Sequence, residues 1–315
     1  MKNLTIFCDY SLDPAALQLL QDGVAPHRLV LPQPGTDSVF AQADIAFGQP
    51  DVASILASTR LRWAHISSAG FTRYDTPEFR AAAKSRGLRV TNSSSVYAEP
   101  CAEHVLSFML AQARQLPVAL RACIDYGCDA WGKLRARSSC LTGQSVVILG
   151  FGSIGARLVE LLAPFQMKIS AMRRQPKGDE GVPTFPPEQL PAILATADHV
   201  IDILPENAAS RNFINAERLA GMKPGAIFYN IGRGPTVDQD ALLASLKSGH
   251  LGAAWLDVTD PEPLPDGHPL LDVPNCHITP HTAGGHGHEA GSLVRHFLEN
   301  FRLFLQEAPL RDRVM

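Results

Sequence analysis

Gly150-Phe151-Gly152-Ser153-Ile154-Gly155 is the stretch on which the reading of this chain turns. An apolar run, Ser145 to Leu149, leads into it, and Ile154, Leu158, Leu161 and Leu162 follow at helical spacing. The glycines therefore sit where a strand turns into a helix. The first permits the sharp bend, the second lets the backbone approach a pyrophosphate, and the third lets helix and strand pack closely. The helix N-terminus adds free N–H groups and the positive end of a dipole. With a second strand, Lys168 to Met172, behind it, the stretch predicts a dinucleotide-binding unit. Gly150, Gly152, Ser153, Ile154 and Gly155 are its expected phosphate-binding residues.

A cofactor without a 2′-phosphate usually meets Asp or Glu at the end of that second strand. This chain has Arg173 and Arg174, with Lys177 close behind. A carboxylate would repel a 2′-phosphate, whereas a guanidinium binds it through paired, charge-assisted hydrogen bonds. The pattern favours NADP(H), with NAD(H) still possible; the plainer reading is two solvated surface arginines.

The whole chain sets the frame. Its 315 residues are enough for two domains with their own cores. A hydrophobic share of 45% and a charged share of 19% fit a soluble globular protein. The net charge of −3 speaks against a nucleic-acid partner, and no apolar run is long enough for a membrane span. Met1 to Phe7 reads as a first strand and lacks a signal-peptide layout. Cys8, Cys101, Cys123, Cys128, Cys140 and Cys276 form no CxxC pair. We read them as free thiols, which makes the cytoplasm the expected compartment.

From Leu4 to about residue 95, strands and helices alternate. Asp13-Pro14 and Thr76-Pro77 open helices, the first expected to run through Leu20 and the second to stop near Gly87. Between them, Ser67-Ser68-Ala69-Gly70-Phe71 is either an ordinary turn or a loop whose N–H groups face an anion. Tyr97 to Leu116 reads as one long helix. From Ser145 the alternation resumes, and Gly285 to Gln306 reads as a final amphipathic helix able to return to the first domain. The expected class is α/β, with two Rossmann-like, doubly wound parallel sheets. The expected division is residues 1–96 plus 286–315 as a flavodoxin-like substrate domain, and 97–285 as the dinucleotide-binding domain.

In an open parallel sheet, ligands bind beyond the carboxyl ends of the strands. Three such ends carry reactive groups: Arg233 in Asn230-Ile231-Gly232-Arg233-Gly234, Glu262 after Leu256-Asp257-Val258, and His281 in Thr279-Pro280-His281. A cation, a carboxylate and a titratable imidazole suit reduction of a carbonyl. Taken singly, each could be a surface arginine, a turn carboxylate between prolines and a helix-entry histidine. His286 and His288 invite a metal reading, but glycine neighbours and the lack of a nearby cysteine weigh against it, so no metal is expected.

Together with the glycine loop, Ala102-Glu103-His104 and Leu204-Pro205, these motifs run in the order seen in the D-isomer-specific 2-hydroxyacid dehydrogenases. The chain resembles that family, and its arginine pair resembles the glyoxylate/hydroxypyruvate reductase branch. The resemblance implies an active site in the cleft between the two domains, a homodimer, and reduction of small 2-oxo acids to D-2-hydroxy acids by hydride transfer. It implies that His281 is the acid/base and contacts the nicotinamide side, that Glu262 hydrogen-bonds His281, and that Arg233 holds the substrate carboxylate. It assigns the N–H groups of Ala69 and Gly70 to the same carboxylate. Asp257 would bind the nicotinamide amide, and Leu204, Pro205, Ile231 and Gly232 would line the cofactor site. Gly232 departs from the family pattern, where Ala or Ser is more usual. Two alternatives stand beside this reading: a nucleotide-sensing interaction protein without turnover, and the same fold acting on another 2-hydroxy acid such as phosphoglycerate.

Overall fold

The computed structural model describes residues 3–32, 40–122 and 129–315. Cys123 and Cys128 lie outside the described residues. The chain divides into two compact units, Met1–Tyr97 with Gly285–Met315, and Ala98–Gly284.

The first unit begins with β1 (Thr5–Cys8), α1 (Pro14–Val24), β2 (Arg28–Val30), β3 (Ile45–Gly48), α2 (Val52–Ala57), β4 (Trp63–Ile66), α3 (Pro77–Arg86) and β5 (Arg89–Thr91). The strands pair in parallel in the order β2-β1-β3-β4-β5. Successive strand residues point to opposite faces. Ile6, Cys8, Ile45, Phe47 and Trp63 therefore enter one core, while Phe7, Ala46, Ala64 and Ile66 enter another. Both faces are covered, which is why these strands read as unbroken apolar runs. Asp13 accepts a hydrogen bond from Ala16 N at 2.8 Å, with Pro14 at the first helical position. α1 continues past Leu20 to Val24, because Ala16, Leu20 and Val24 form one buried stripe. β2 has three residues and takes its register from β1, with Thr5 opposite Arg28, so its own sequence carries almost no signal.

The second unit holds α4 (Ala98–Ala113), α5 (Leu116–Ala119), α6 (Asp129–Arg137), β6 (Ser145–Leu149), α7 (Ser153–Leu162), β7 (Lys168–Met172), β8 (Thr184–Phe185), α8 (Leu190–Leu194), β9 (His199–Asp202), α9 (Ala216–Ala220), β10 (Ile227–Asn230), α10 (Gln239–Lys247), β11 (Ala253–Leu256) and β12 (Cys276–Ile278). Its sheet runs β12-β11-β10-β9-β6-β7-β8, all parallel. The chain starts in the middle at β6, builds outward to β8, then returns to lay β9 on the other side of β6. That reversal is the topological switch point at which doubly wound sheets bind ligands. The single helix expected from Tyr97 to Leu116 ends instead at Ala113. Gln115 adopts a left-handed backbone, φ 54°, and Pro117 occupies the start of α5, a position it tolerates far better than a helix interior.

The last helix, α11 (Glu289–Leu305), belongs to the first unit. It starts later than the sequence suggests, because Gly285 to His288 form its entry turn. Phe297 stacks on Phe47 and Trp63, with ring centroids 4.6 and 5.1 Å apart. Beyond it the chain adds an antiparallel edge to β5: Asn92 N donates to Asp312 O at 3.0 Å and Val314 N to Val90 O at 2.9 Å. The Asp312 carboxylate accepts from Ser95 N and Ser95 Oγ at 2.9 and 2.6 Å and lies 3.2 Å from His296 Nε2.

Candidate active site

The glycine loop after β6 assigns each glycine a task. Gly150 has φ +91°, a region that side chains disfavour. A Cβ on Gly152 would meet nothing within 4 Å, so the backbone at the start of α7 is left clear for a ligand. A Cβ on Gly155 would come within 3.2 Å of the Phe151 ring and 3.4 Å of Gly150 O, the signature of close helix–strand packing. These features fit a dinucleotide. Leu204 and Pro205 follow β9, on the far side of the switch point. A Cβ on Gly232 would lie 2.7 Å from Leu204 O and 2.9 Å from Leu204 N, which explains glycine at this position.

After β7, Arg174 is exposed and Arg173 is half-buried. Arg173 Nη1 lies 3.4 Å from Glu180 Oε1. Glu180 also accepts from Lys177 N at 2.7 Å, Gly178 N at 2.8 Å and Thr184 Oγ1 at 3.2 Å. Those donors, the Lys177 N–H foremost, hold its carboxyl below the usual carboxylate range. The sequence reading missed Glu180. Its link to Arg173 spans seven residues of irregular loop, where no periodicity announces a contact.

Arg233, Glu262 and His281 follow β10, β11 and β12, which are neighbours in the sheet. His281 Nδ1 is 2.5 Å from Glu262 Oε1, and its Nε2 makes no hydrogen bond among the described residues. His281 itself has φ 53°, an unusual backbone for a non-glycine residue. Asp257 holds it there. Asp257, 1% exposed, accepts from Thr279 Oγ1 at 2.5 Å, Thr282 N at 2.8 Å and Ala283 N at 2.9 Å. His281 N donates to Asp257 O at 2.9 Å. Asp257 is therefore the anchor of the histidine loop. Arg233 Nη1 donates to Gly232 O at 2.6 Å, and no carboxylate among the described residues pairs with its guanidinium. Gly234 is tight: a Cβ there would lie 1.9 Å from Thr259 O.

In the first unit, the 67–71 loop is pinned by its carbonyls. Asn92 Nδ2 donates to Ala69 O, and Ser68 Oγ to Gly70 O, each at 2.6 Å. Tyr97 OH donates to Ser67 O at 2.9 Å. The N–H groups of Ala69 and Gly70 make no hydrogen bond among the described residues. His286 and His288 are exposed, with His288 N donating to His286 Nδ1 at 3.2 Å. Among the described residues, no group of three or more His, Cys, Asp or Glu could hold a metal, and no helix is long and apolar enough to cross a membrane.

A family model described as the NAD binding domain of D-isomer specific 2-hydroxyacid dehydrogenases matches residues 106–283. The chain belongs to that family. Glyoxylate/hydroxypyruvate reductases are among the relatives of this chain, which spans less than two thirds of the length of several of the curated relatives it matches. The human glyoxylate reductase/hydroxypyruvate reductase is 37% identical over 201 residues, covering 63% of this chain and 61% of the relative's own length. A glyoxylate/hydroxypyruvate reductase B from Citrobacter koseri is 33% identical over 254 residues, covering 77% of this chain and 75% of its own length. Among solved structures, a D-isomer specific 2-hydroxyacid dehydrogenase from Xanthobacter autotrophicus Py2, crystallised with NADPH and MES, shares 27% identity. Its TM-score is 0.82, with 100% of this chain and 98% of that chain covered. The two parallel α/β sheets expected from the sequence are those of this family's Rossmann fold.

Proposed function

We propose that this D-2-hydroxyacid dehydrogenase reduces small 2-oxo acids, glyoxylate and hydroxypyruvate first among them, and uses NADPH in preference to NADH. The observation that carries the reading is the His281–Glu262 pair, which follows strands neighbouring the one that leads to Arg233, an arginine with no carboxylate partner among the described residues. Glu262 fixes Nδ1 and so the ring's orientation, which leaves Nε2 to deliver a proton to the substrate's carbonyl oxygen. The guanidinium of Arg233 has its charge available for the substrate carboxylate, a planar two-oxygen target that suits its fork. The family resemblance assigns the N–H groups of Ala69 and Gly70, which make no hydrogen bond among the described residues, to that same carboxylate. A bound nicotinamide supplies the hydride.

Gly150, Gly152, Ser153, Ile154 and Gly155 would hold the pyrophosphate, with Leu204, Pro205, Ile231 and Gly232 against the nicotinamide half. Arg174 and Lys177 would meet the 2′-phosphate. Arg173, engaged by Glu180, would act chiefly by ordering that loop. Asp257 would anchor the His281 loop through the three donors its oxygens serve, beside the contact with the nicotinamide amide that the resemblance implies. We also assign the protein a dimeric state. Leu116, Val118 and Leu120 are apolar residues 43%, 55% and 84% exposed, which a second copy would cover.

The test is loss of nicotinamide absorbance with NADPH or NADH, each offered with glyoxylate, hydroxypyruvate and pyruvate. NADPH with the two-carbon and three-carbon acids is expected to be fastest. Arg233→Ala is expected to lower kcat/KM by roughly 10²–10³-fold while NADPH still binds. Preferential use of NADH overturns the cofactor assignment, and undiminished turnover in Arg233→Ala overturns the role of Arg233.

A further inference from the structure

Three oxygens lie in a row beneath the arginine turn. Asp202 Oδ2 is 2.6 Å from Thr236 Oγ1, which is 2.6 Å from the main-chain oxygen of Arg233. Asp202 and Thr236 are both fully buried. Oxygens this close need a proton between each pair. Thr236 brings one, and a carbonyl brings none. The second has to sit on the Asp202 carboxyl. Asp202 then donates to Thr236, and Thr236 donates to Arg233 O. The other Asp202 oxygen accepts from Leu204 N at 2.9 Å, and Asn230 Nδ2 and Thr236 N are further donors to Arg233 O at 3.0 and 3.3 Å.

We propose that Asp202 is a positioning residue for Arg233: as a neutral acid it sends its proton through the Thr236 hydroxyl and fixes the main chain from which the guanidinium reaches. The inference rests on the reading of Arg233 as the group that binds the substrate carboxylate. The surroundings agree with the proton count. β6 sets Leu149 beside Asp202, β10 sets Asn230 there, the turn adds Thr236, and Leu204 follows in the loop after β9. None is charged. Burial outweighs the hydrogen bonds and lifts the carboxyl from 3.8 to about 7. Ionisation removes the second proton. Thr236 then turns its one hydrogen to the carboxylate, and Arg233 O is left facing a lone pair. The arginine turn loosens as pH rises, and hold on the substrate carboxylate weakens with it.

Asp202→Asn keeps the relay at every pH, because its amide N–H replaces the acid proton and its oxygen still accepts from Leu204. Thr236→Val removes the relay with little change of shape. The experiment compares wild type and both variants across neutral pH, reading KM and kcat for glyoxylate and the affinity of the NADPH-loaded enzyme for oxalate. In wild type, KM is expected to rise about five- to tenfold with pH, the worth of one hydrogen bond, with a smaller change in kcat. Asp202→Asn is expected to stay at the low value throughout, and Thr236→Val at the high one. Infrared difference spectra, wild type minus Asp202→Asn, should show a protonated carboxyl band that disappears over the same pH range. Absence of that band overturns the inference, as does a Thr236→Val enzyme with wild-type KM or an Asp202→Asn enzyme that keeps the pH step. A wild type that neither turns over glyoxylate nor binds oxalate overturns the functional reading instead, while the infrared band still decides the protonated chain.

Discussion

Asp202 lies among uncharged groups, and burial lifts its carboxyl to about 7, whereas for Asp312 burial is outweighed by the neighbouring His296, 3.2 Å away, and by hydrogen bonds from Ser95, which bring it to about 2. The two carboxyls therefore tie stability to pH with opposite signs. Between an unfolded value of 3.8 and a folded value of about 7, the folded protein keeps the Asp202 proton that the unfolded chain has lost. Its contribution is fullest below the lower value and is lost as pH rises through the upper one. Denaturant midpoints of Asp202→Asn are expected to lack this decline. The Asp312 contribution is present above 3.8 and is lost as pH falls towards about 2. The glycines make a second residue-scale contrast. Gly152→Ala enters open space, so it should leave the unfolding midpoint unchanged and weaken NADPH binding. Gly234→Ala meets a carbonyl at 1.9 Å and is expected to cost more than about 3 kcal/mol of stability. The strand-end histidine, arginine and glutamate stand out as candidates in the sequence because their residue types announce chemistry. Asp202 and Glu180 were not, because what they do depends on burial and on partners that no local pattern encodes.

At the scale of elements, what the sequence made legible were the features settled within four residues. The caps Asp13, Thr76 and Asp238 each accept from the amide three positions on, at 2.8, 3.1 and 3.0 Å. Asp238→Ala is expected to lower stability by about 1 kcal/mol, measured by urea unfolding. β2 and the two-residue β8 escaped notice because pairing with β1 and β7 creates them. The loop after β7 belongs to this scale too, since Glu180 ties its two ends together. Arg174→Ala is expected to shift the NADPH-to-NADH ratio of kcat/KM at least about tenfold towards NADH, as loss of a charge-assisted phosphate contact requires. An unchanged ratio would remove Arg174 from the 2′-phosphate site.

For the whole molecule, the α/β class and family were readable because the glycine loop and three strand ends recur in one order along the chain. Oligomeric state was not, because apolar residues such as Leu116, Val118 and Leu120 read like any helical stretch until their exposure is known. Sedimentation is expected to give a dimer, and paired Val118→Asp and Leu120→Asp substitutions a monomer. The second unit is one continuous segment with its own core. The first is completed by α11, whose Phe297 and Phe304 stack on Phe47 and Trp63. On the ribosome this reverses the order of birth and maturity. Trp63 leaves the tunnel and waits for Phe297, 234 residues later (297 − 63). At about 5–20 residues per second that wait lasts roughly 12–47 s. The segment translated first is thus the last to be sheltered, and slower elongation is expected to lower the soluble yield of the nascent chain.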